Sequence, residues 1–149
     1  MANQKLITEA ELIGRARELA PVFASRAVEE EGLRSPTDAT VRDLIDSGIA
    51  ATLAPKSYGG HEFGLHVMAE ITRIISAACP STGWVTAFYI GSAWRALFFP
   101  EKCQMELFDG NSHVLFAGTA APLPGVKRVP GGYVVTGQTP WSSGSVHAD

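Results

Sequence analysis

The residues best placed to do chemistry are Trp141 and Ser143, in the run Pro140-Trp141-Ser142-Ser143-Gly144. Two positions apart on a strand, their side chains share one face. An indole beside a hydroxyl suits a flat heteroaromatic ligand: the ring stacks and the hydroxyl bonds a ring nitrogen. The same spacing also describes a core tryptophan with a serine at a strand end, and spacing alone leaves both readings open.

Other chemistries find less support. The run Gly59-Gly60-His61-Glu62-Phe63-Gly64 lacks the Lys-Ser/Thr of a phosphate-binding loop, and no Gly-x-Gly-x-x-Gly follows a strand. His61, His66, His113 and His147 do not pair at metal spacing with a carboxylate on one helix face, so no metal is expected. There is no Gly-x-Ser-x-Gly elbow, and Ser142-Ser143-Gly144 has no local base. Cys79 and Cys103 are too few for a disulfide framework and lack zinc spacing. They read as buried or inert thiols in a reducing, cytoplasmic compartment.

Composition narrows the class further. The chain has 149 residues, 46% of them hydrophobic, enough for a real core. Its net charge of -3, with no basic stripe, argues against a nucleic-acid partner. The opening MANQKLITEAEL has no apolar run of signal-peptide length, so export is not expected. Residues 83–99 are apolar except for Thr86, Ser92 and Arg95. That run is shorter than the roughly 20 residues that span a bilayer, so it reads as the buried central helix of a bundle rather than a membrane segment.

The elements that would position these residues come in two kinds. Thr8-Glu9-Ala10-Glu11 is a capping box, and Leu12, Ala16, Leu19, Phe23 and Ala27 then recur at helical spacing. Pro21 should kink or split that helix, and Gly32 should end it. Ser35-Pro36 should open a second helix with Val41, Leu44 and Ile45 on its apolar face and Gly48 as its C-terminal glycine. Residues 49–54 read as extended, and Tyr58-Gly59-Gly60 as a turn in which glycine allows positive φ or a close backbone approach. Helices follow over residues 65–78, 81–98 and from Pro100-Glu101 to Asp109-Gly110. This makes roughly five or six helices joined by short turns.

After Ser112 the period changes. Residues 114–118 read as a strand, Pro122 to Gly125 as a loop, and residues 127–129 and 133–136 as a hairpin about Pro130-Gly131-Gly132. Residues 141–143 should form a further strand. The fold class is therefore α+β: an all-α domain over residues 1–112, then the first strands of an antiparallel β domain over residues 113–149. A lone hairpin is marginal, so the chain is expected to be a piece of a longer protein.

The ordered set Pro55, Tyr58-Gly59-Gly60, Ser81-Thr82-Gly83-Trp84, Gly131-Gly132-Tyr133, Val135, Gly137, Trp141, Ser143-Gly144 and His147-Ala148 resembles the acyl-CoA dehydrogenase superfamily. The resemblance is closer to its flavin-dependent monooxygenase branch, the oxygenase half of two-component aromatic hydroxylases. It implies a reduced flavin cofactor, FAD or FMN, supplied by a separate flavin reductase, and a homotetramer. It implies that Ala117, Gly118 and Thr119 run beside the flavin, that Trp141 flanks the isoalloxazine, and that Ser143 holds the reactive flavin nitrogen as the catalytic hydroxyl. Trp84 and Ser92 become candidate wall residues for a small organic substrate, with a core role for Trp84 left open beside it.

Three departures from the family pattern bear on the branch. Thr119-Ala120-Ala121-Pro122 and Pro124-Gly125-Val126 stand where an acyl-CoA dehydrogenase carries Thr-Glu-Pro and Gly-Ser-Asp. Thr139 and Trp141 take places that the oxygenase branch often gives to tryptophan and phenylalanine. Ser92, two before Trp94, takes the place of the histidine that deprotonates phenols, which serine cannot do unaided near neutral pH. An acyl-CoA dehydrogenase-like desaturase and a ligand-free helical interaction module remain the rival readings.

Overall fold

The computed structural model describes residues 7–119, 125–138 and 140–149. Its helices are α1 (Glu9–Leu33), α2 (Asp38–Asp46), α3 (Leu65–Ala78), α4 (Pro80–Ala96) and α5 (Glu101–Leu107); its strands are β1 (Gly125–Val129) and β2 (Gly132–Thr136). The strands form an antiparallel pair, so the chain is α+β with a two-stranded sheet.

The capping box forms as expected: Glu11 N–H donates to Thr8 Oγ1 at 3.2 Å, and Thr8 N–H to Glu11 Oε2 at 2.8 Å. Helix α1 then presents Leu12, Ala16 and Phe23 to the core, each fully buried. Pro21 does not split the helix, which runs through it from Glu9 to Leu33. Pro21 is solvent-exposed, so water can serve the carbonyl it leaves unpaired. Nor does Gly32 end the helix. Arg34 does, in the left-handed region at φ 55°, with Pro36 close behind to bar continuation.

Helix α2 opens later than expected. Thr37, not Ser35-Pro36, is the cap, its hydroxyl accepting from Thr40 N–H at 3.2 Å. The backbone N–H of Thr37 is itself taken by Glu30 Oε1 at 3.0 Å, which ties the second helix to the first. Gly48 closes α2 in the left-handed conformation, as read from the sequence.

Residues 49–54 are not extended. Ile49–Ala51 is a 3₁₀ turn, and all six residues are buried. Their backbone groups are satisfied locally and by the returning segment: His61, Phe63 and Glu62 N–H groups donate to the carbonyls of Ala51, Thr52 and Ala54 at 3.1, 3.0 and 2.9 Å. Gly60 lies so close that a Cβ there would strike the Ala54 carbonyl. The expected close approach at Gly59-Gly60 is real.

Helix α3 packs on both α1 and α4. Its contact with α4 is tightest at Gly83, where a side chain would collide with Ser76. The shared core holds Leu12, Phe23, Val67, Ile71, Ile75, Tyr89 and Ile90. Each large side chain so buried contributes about 1.5–3 kcal/mol. The sequence reading made α4 buried on every side, and that is incorrect. Val85, Tyr89, Ile90 and Ala93 face inward, but Trp84 is 60% and Trp94 44% exposed.

Residues 114–118 do not form a strand. Val114 and Leu115 are buried against the helices, and Leu115 pairs with Asp149 instead of a sheet neighbour. The hairpin is present with Val129 opposite Gly132. Its turn is therefore Pro130-Gly131, one residue shorter than read from the sequence. The expected loop at Pro122–Pro124 and the comparison made at Thr139 fall outside the described residues.

Candidate functional site

The site is built where residues 114–119 and 140–149 meet α4. The expectation that Trp141 and Ser143 share a strand face is not met: neither lies in a strand. Trp141 has φ 63° and is 88% exposed, and Ser143 and Gly144 form a turn. Pro140 just before and the small polar run just after favour turns, and no strand lies alongside to pair with them.

What holds Ser143 is α4. The Trp84 indole N–H donates to Ser143 Oγ at 3.2 Å. One turn further along, the Tyr89 hydroxyl donates to the Gly144 carbonyl at 2.8 Å. Burial, and then the nearby Asp149 carboxylate, push the Tyr89 phenol above its ordinary pKa, so it stays a donor at neutral pH. Gly144 sits at φ 82° directly against the Tyr89 ring. The segment is anchored again at its end. His147 Nε2 lies 3.0 Å from Asp38 Oδ1, Leu115 N–H donates to Asp149 Oδ2 at 2.8 Å, and Asp149 N–H returns a bond to Leu115 O at 3.0 Å.

Ser92 does the same for the other segment. Its hydroxyl lies 2.7 Å from the Phe88 carbonyl and 3.0 Å from the Phe116 carbonyl, and it accepts from Arg95 Nη2 at 3.2 Å. The side chain is completely buried. Beyond Phe116 the chain reaches Ala117, Gly118 and Thr119. Thr119 Oγ1 donates to the Pro140 carbonyl at 3.4 Å, bringing this run beside Trp141. Among the described residues, and apart from its own chain neighbours, nothing lies within 4 Å of where a Gly118 Cβ would be.

Next to Trp84 lies an open groove of about 390 Å³ between α3 and α4. Trp84, Phe88, Gly91 and Arg95 form its floor from α4, and Leu65 and Met68 its rim from α3. The Trp84 and Phe88 rings meet edge to face at 5.2 Å. Trp84 lines this groove. Tyr89, Gly91, Arg95 and Met68 were missed. The positions 84, 88, 91 and 95 do follow helical spacing, which is the signal that could have found the α4 face. Among the described residues no cluster of His, Cys, Asp and Glu could hold a metal, and no helix is long and apolar enough to cross a membrane.

No protein-family profile matches the chain. Individual proteins do. Over 143 residues it is 59% identical to a pigment production hydroxylase of a Rhodococcus species, covering 96% of this chain and 37% of that protein. It is 32% identical to the flavin-dependent monooxygenase oxygenase subunit HsaA of Rhodococcus jostii, covering 87% of this chain and 34% of that one. Its backbone superposes on XiaF from a Streptomyces species, solved in complex with FADH2 and glycerol, with a TM-score of 0.90 and 38% identity, covering 95% of this chain and 36% of XiaF. The chain thus spans about a third of the length of each of these proteins and is similar to them along most of its own.

Proposed function

We propose that this chain forms part of the oxygenase component of a two-component flavin-dependent monooxygenase, which uses reduced flavin and dioxygen to hydroxylate a small organic substrate. The observation that carries the reading is the 0.90 superposition on a protein solved with FADH2, over 95% of this chain. Similarity to a protein named as an oxygenase subunit supports a separate reductase as the source of reduced flavin. FAD is favoured over FMN by the same likeness. The resemblance to the acyl-CoA dehydrogenase superfamily, a homotetramer, and the division into a helical domain over residues 1–112 and a β domain opening at residue 113 belong to the same proposal. The names of the similar proteins favour the oxygenase over the desaturase and over a ligand-free module.

The residues present fit a flavin. Gly118 leaves room for a flat ring to lie against the backbone of residues 117–119. The exposed Trp141 indole is free to cover one ring face. Ser143 Oγ receives the Trp84 N–H as a donor, so its own proton is available to a ring nitrogen. The bound flavin supplies the electrons and activates the oxygen. The protein's own residues orient the ring, exclude water and fix the Ser143 proton. Trp84, in the groove beside Ser143, is the substrate-wall residue of this scheme. Ser92 acts one step removed, by docking the residue 116–119 segment.

The test is anaerobic titration of the full-length protein with FADH2 and FMNH2, followed by single turnovers with oxygen. Ser143→Ala removes one net hydrogen bond, about 0.5–1.5 kcal/mol, and should weaken reduced-flavin binding or product yield per oxygen by roughly two- to tenfold. A full-length protein that binds neither reduced flavin would overturn the reading.

A further inference from the structure

We infer that the groove between α3 and α4 is a binding site for an aromatic or polycyclic anion, with Arg95 as the residue that selects the negative charge. Of the residues lining the groove, Arg95 alone is charged; the rest are Leu53, Leu65, Met68, Ala87, Gly91 and aromatic rings. Among the described residues its guanidinium has one hydrogen-bond partner, the Ser92 hydroxyl at 3.2 Å, and no carboxylate within ion-pair distance. Ser92 cannot neutralise it: that hydroxyl is neutral, and its proton is directed at the Phe88 and Phe116 carbonyls. By contrast Arg26 is paired with Asp43 at 2.6 Å and Arg73 with Glu70 at 2.8 Å. A guanidinium with no carboxylate partner beside apolar walls favours a ligand that brings both a ring system and a negative charge.

The helix also sets the spacing. Arg95 reaches back to the level of Ser92, and eight residues at 1.5 Å rise separate Ser92 from Trp84, or about 12 Å. A ligand whose ring rests on Trp84 and Phe88, beside Ser143, would carry its anionic group toward the Arg95 end of the groove. As a statement about the substrate this rests on the oxygenase reading; as a statement about binding it stands without it.

The experiment compares two fluorescent probes with one skeleton. 8-Anilinonaphthalene-1-sulfonate carries an anion, and N-phenyl-1-naphthylamine is the same ring system without it. Both are titrated into the full-length protein. Arg95→Gln should weaken sulfonate binding about tenfold and change the neutral probe by less than about twofold. Arg95→Lys should keep most of the sulfonate affinity. Gly91→Leu, whose added side chain points into the groove past Met68, should weaken both probes alike. Equal changes for the two probes in Arg95→Gln, no change for either, or no binding of either by the wild-type protein would each overturn the inference. Flavin titration of the same samples separates the two readings. Loss of the charge preference with reduced flavin still bound sinks only the anion site. Absent flavin binding with the preference intact sinks only the oxygenase.

Discussion

Replacing Gly144 by alanine tests whether Tyr89 is what fixes the segment that carries Ser143. Gly144 has φ 82°, and a Cβ there would lie 2.7 Å from Tyr89 Cε1, 2.9 Å from its hydroxyl oxygen and 3.0 Å from Cζ. The left-handed backbone alone costs a non-glycine residue about 1–2 kcal/mol. The ring has little room to retreat, since Tyr89 is 1% exposed and packed in the core, so the overlap adds about 1–2 kcal/mol. If the segment lifts away instead, the Tyr89 hydroxyl loses the Gly144 carbonyl and is left buried without an acceptor, a loss of similar size. Either route predicts a destabilisation of about 2–4 kcal/mol. Urea unfolding of the full-length protein, followed by tryptophan fluorescence, reads it as a lower midpoint at unchanged slope. The cause is separated by a double-mutant cycle with Tyr89→Leu, which removes the ring. In that background Gly144→Ala should keep only the backbone cost, about 1–2 kcal/mol, leaving a coupling of roughly 1–2 kcal/mol. Strict additivity of the two changes would refute the reasoning.

Two further outcomes follow from the helical part. Glu30 is 5% exposed and accepts from Thr37 N–H, Thr37 Oγ1 and Thr82 Oγ1, so Glu30→Ala should cost about 2–4 kcal/mol and Glu30→Gln, which can still face both sides, about 1 kcal/mol; equal midpoints for the two variants would contradict the bridging role. His61 is held below its ordinary pKa of 6.5 by burial, opposed by its bond to the Gly48 carbonyl and reinforced by the Arg15 charge. Between that lowered value and 6.5 the unfolded chain binds more proton than the folded one, so stability is full above 6.5 and falls as pH drops through the window. Urea midpoints at pH 7.5 and 5.5 should differ less in His61→Gln than in wild type, and an unchanged difference would remove His61 from the account.

The helices were legible because their signals are local. The capping box at Thr8 and Glu11, the terminal glycine at 48 and the period of Leu65–Ala78 each lie within one element. Where the reading failed, the deciding partner was distant in sequence. Residues 49–54 look extended, but their carbonyls are claimed by residues 61–63, which lets the segment coil. Residues 114–118 and 141–143 have strand-like composition, but among the described residues no strand pairs with them; Asp149 and Ser92 hold the first at Leu115 and Phe116, and Tyr89 anchors the second just beyond it, at Gly144. Helix α4 failed in another way. Periodicity locates a buried face by contrast with a polar one, and α4 has almost no polar face to offer. Periodicity therefore gives no sign that Trp84 and Trp94 are exposed, and only the packing of the other helices shows which side of α4 is left open. The pairing of Trp84 with Ser143, across 59 positions, has no counterpart in any local pattern.

The hairpin has a consequence for handling the protein. Among the described residues β1 and β2 pair only with each other, so each strand keeps one unpaired edge. The two edges differ. On β1, Lys127 and Arg128 set charges that resist the approach of another chain. On β2, Tyr133, Val134 and Val135 are all more than half exposed, and none of its five residues is charged. That edge combines strong strand formers with free backbone donors and acceptors, the pattern that recruits a second strand of the same kind. Self-association of this chain at high concentration would begin at the β2 edge, with ribbon-like oligomers as its product.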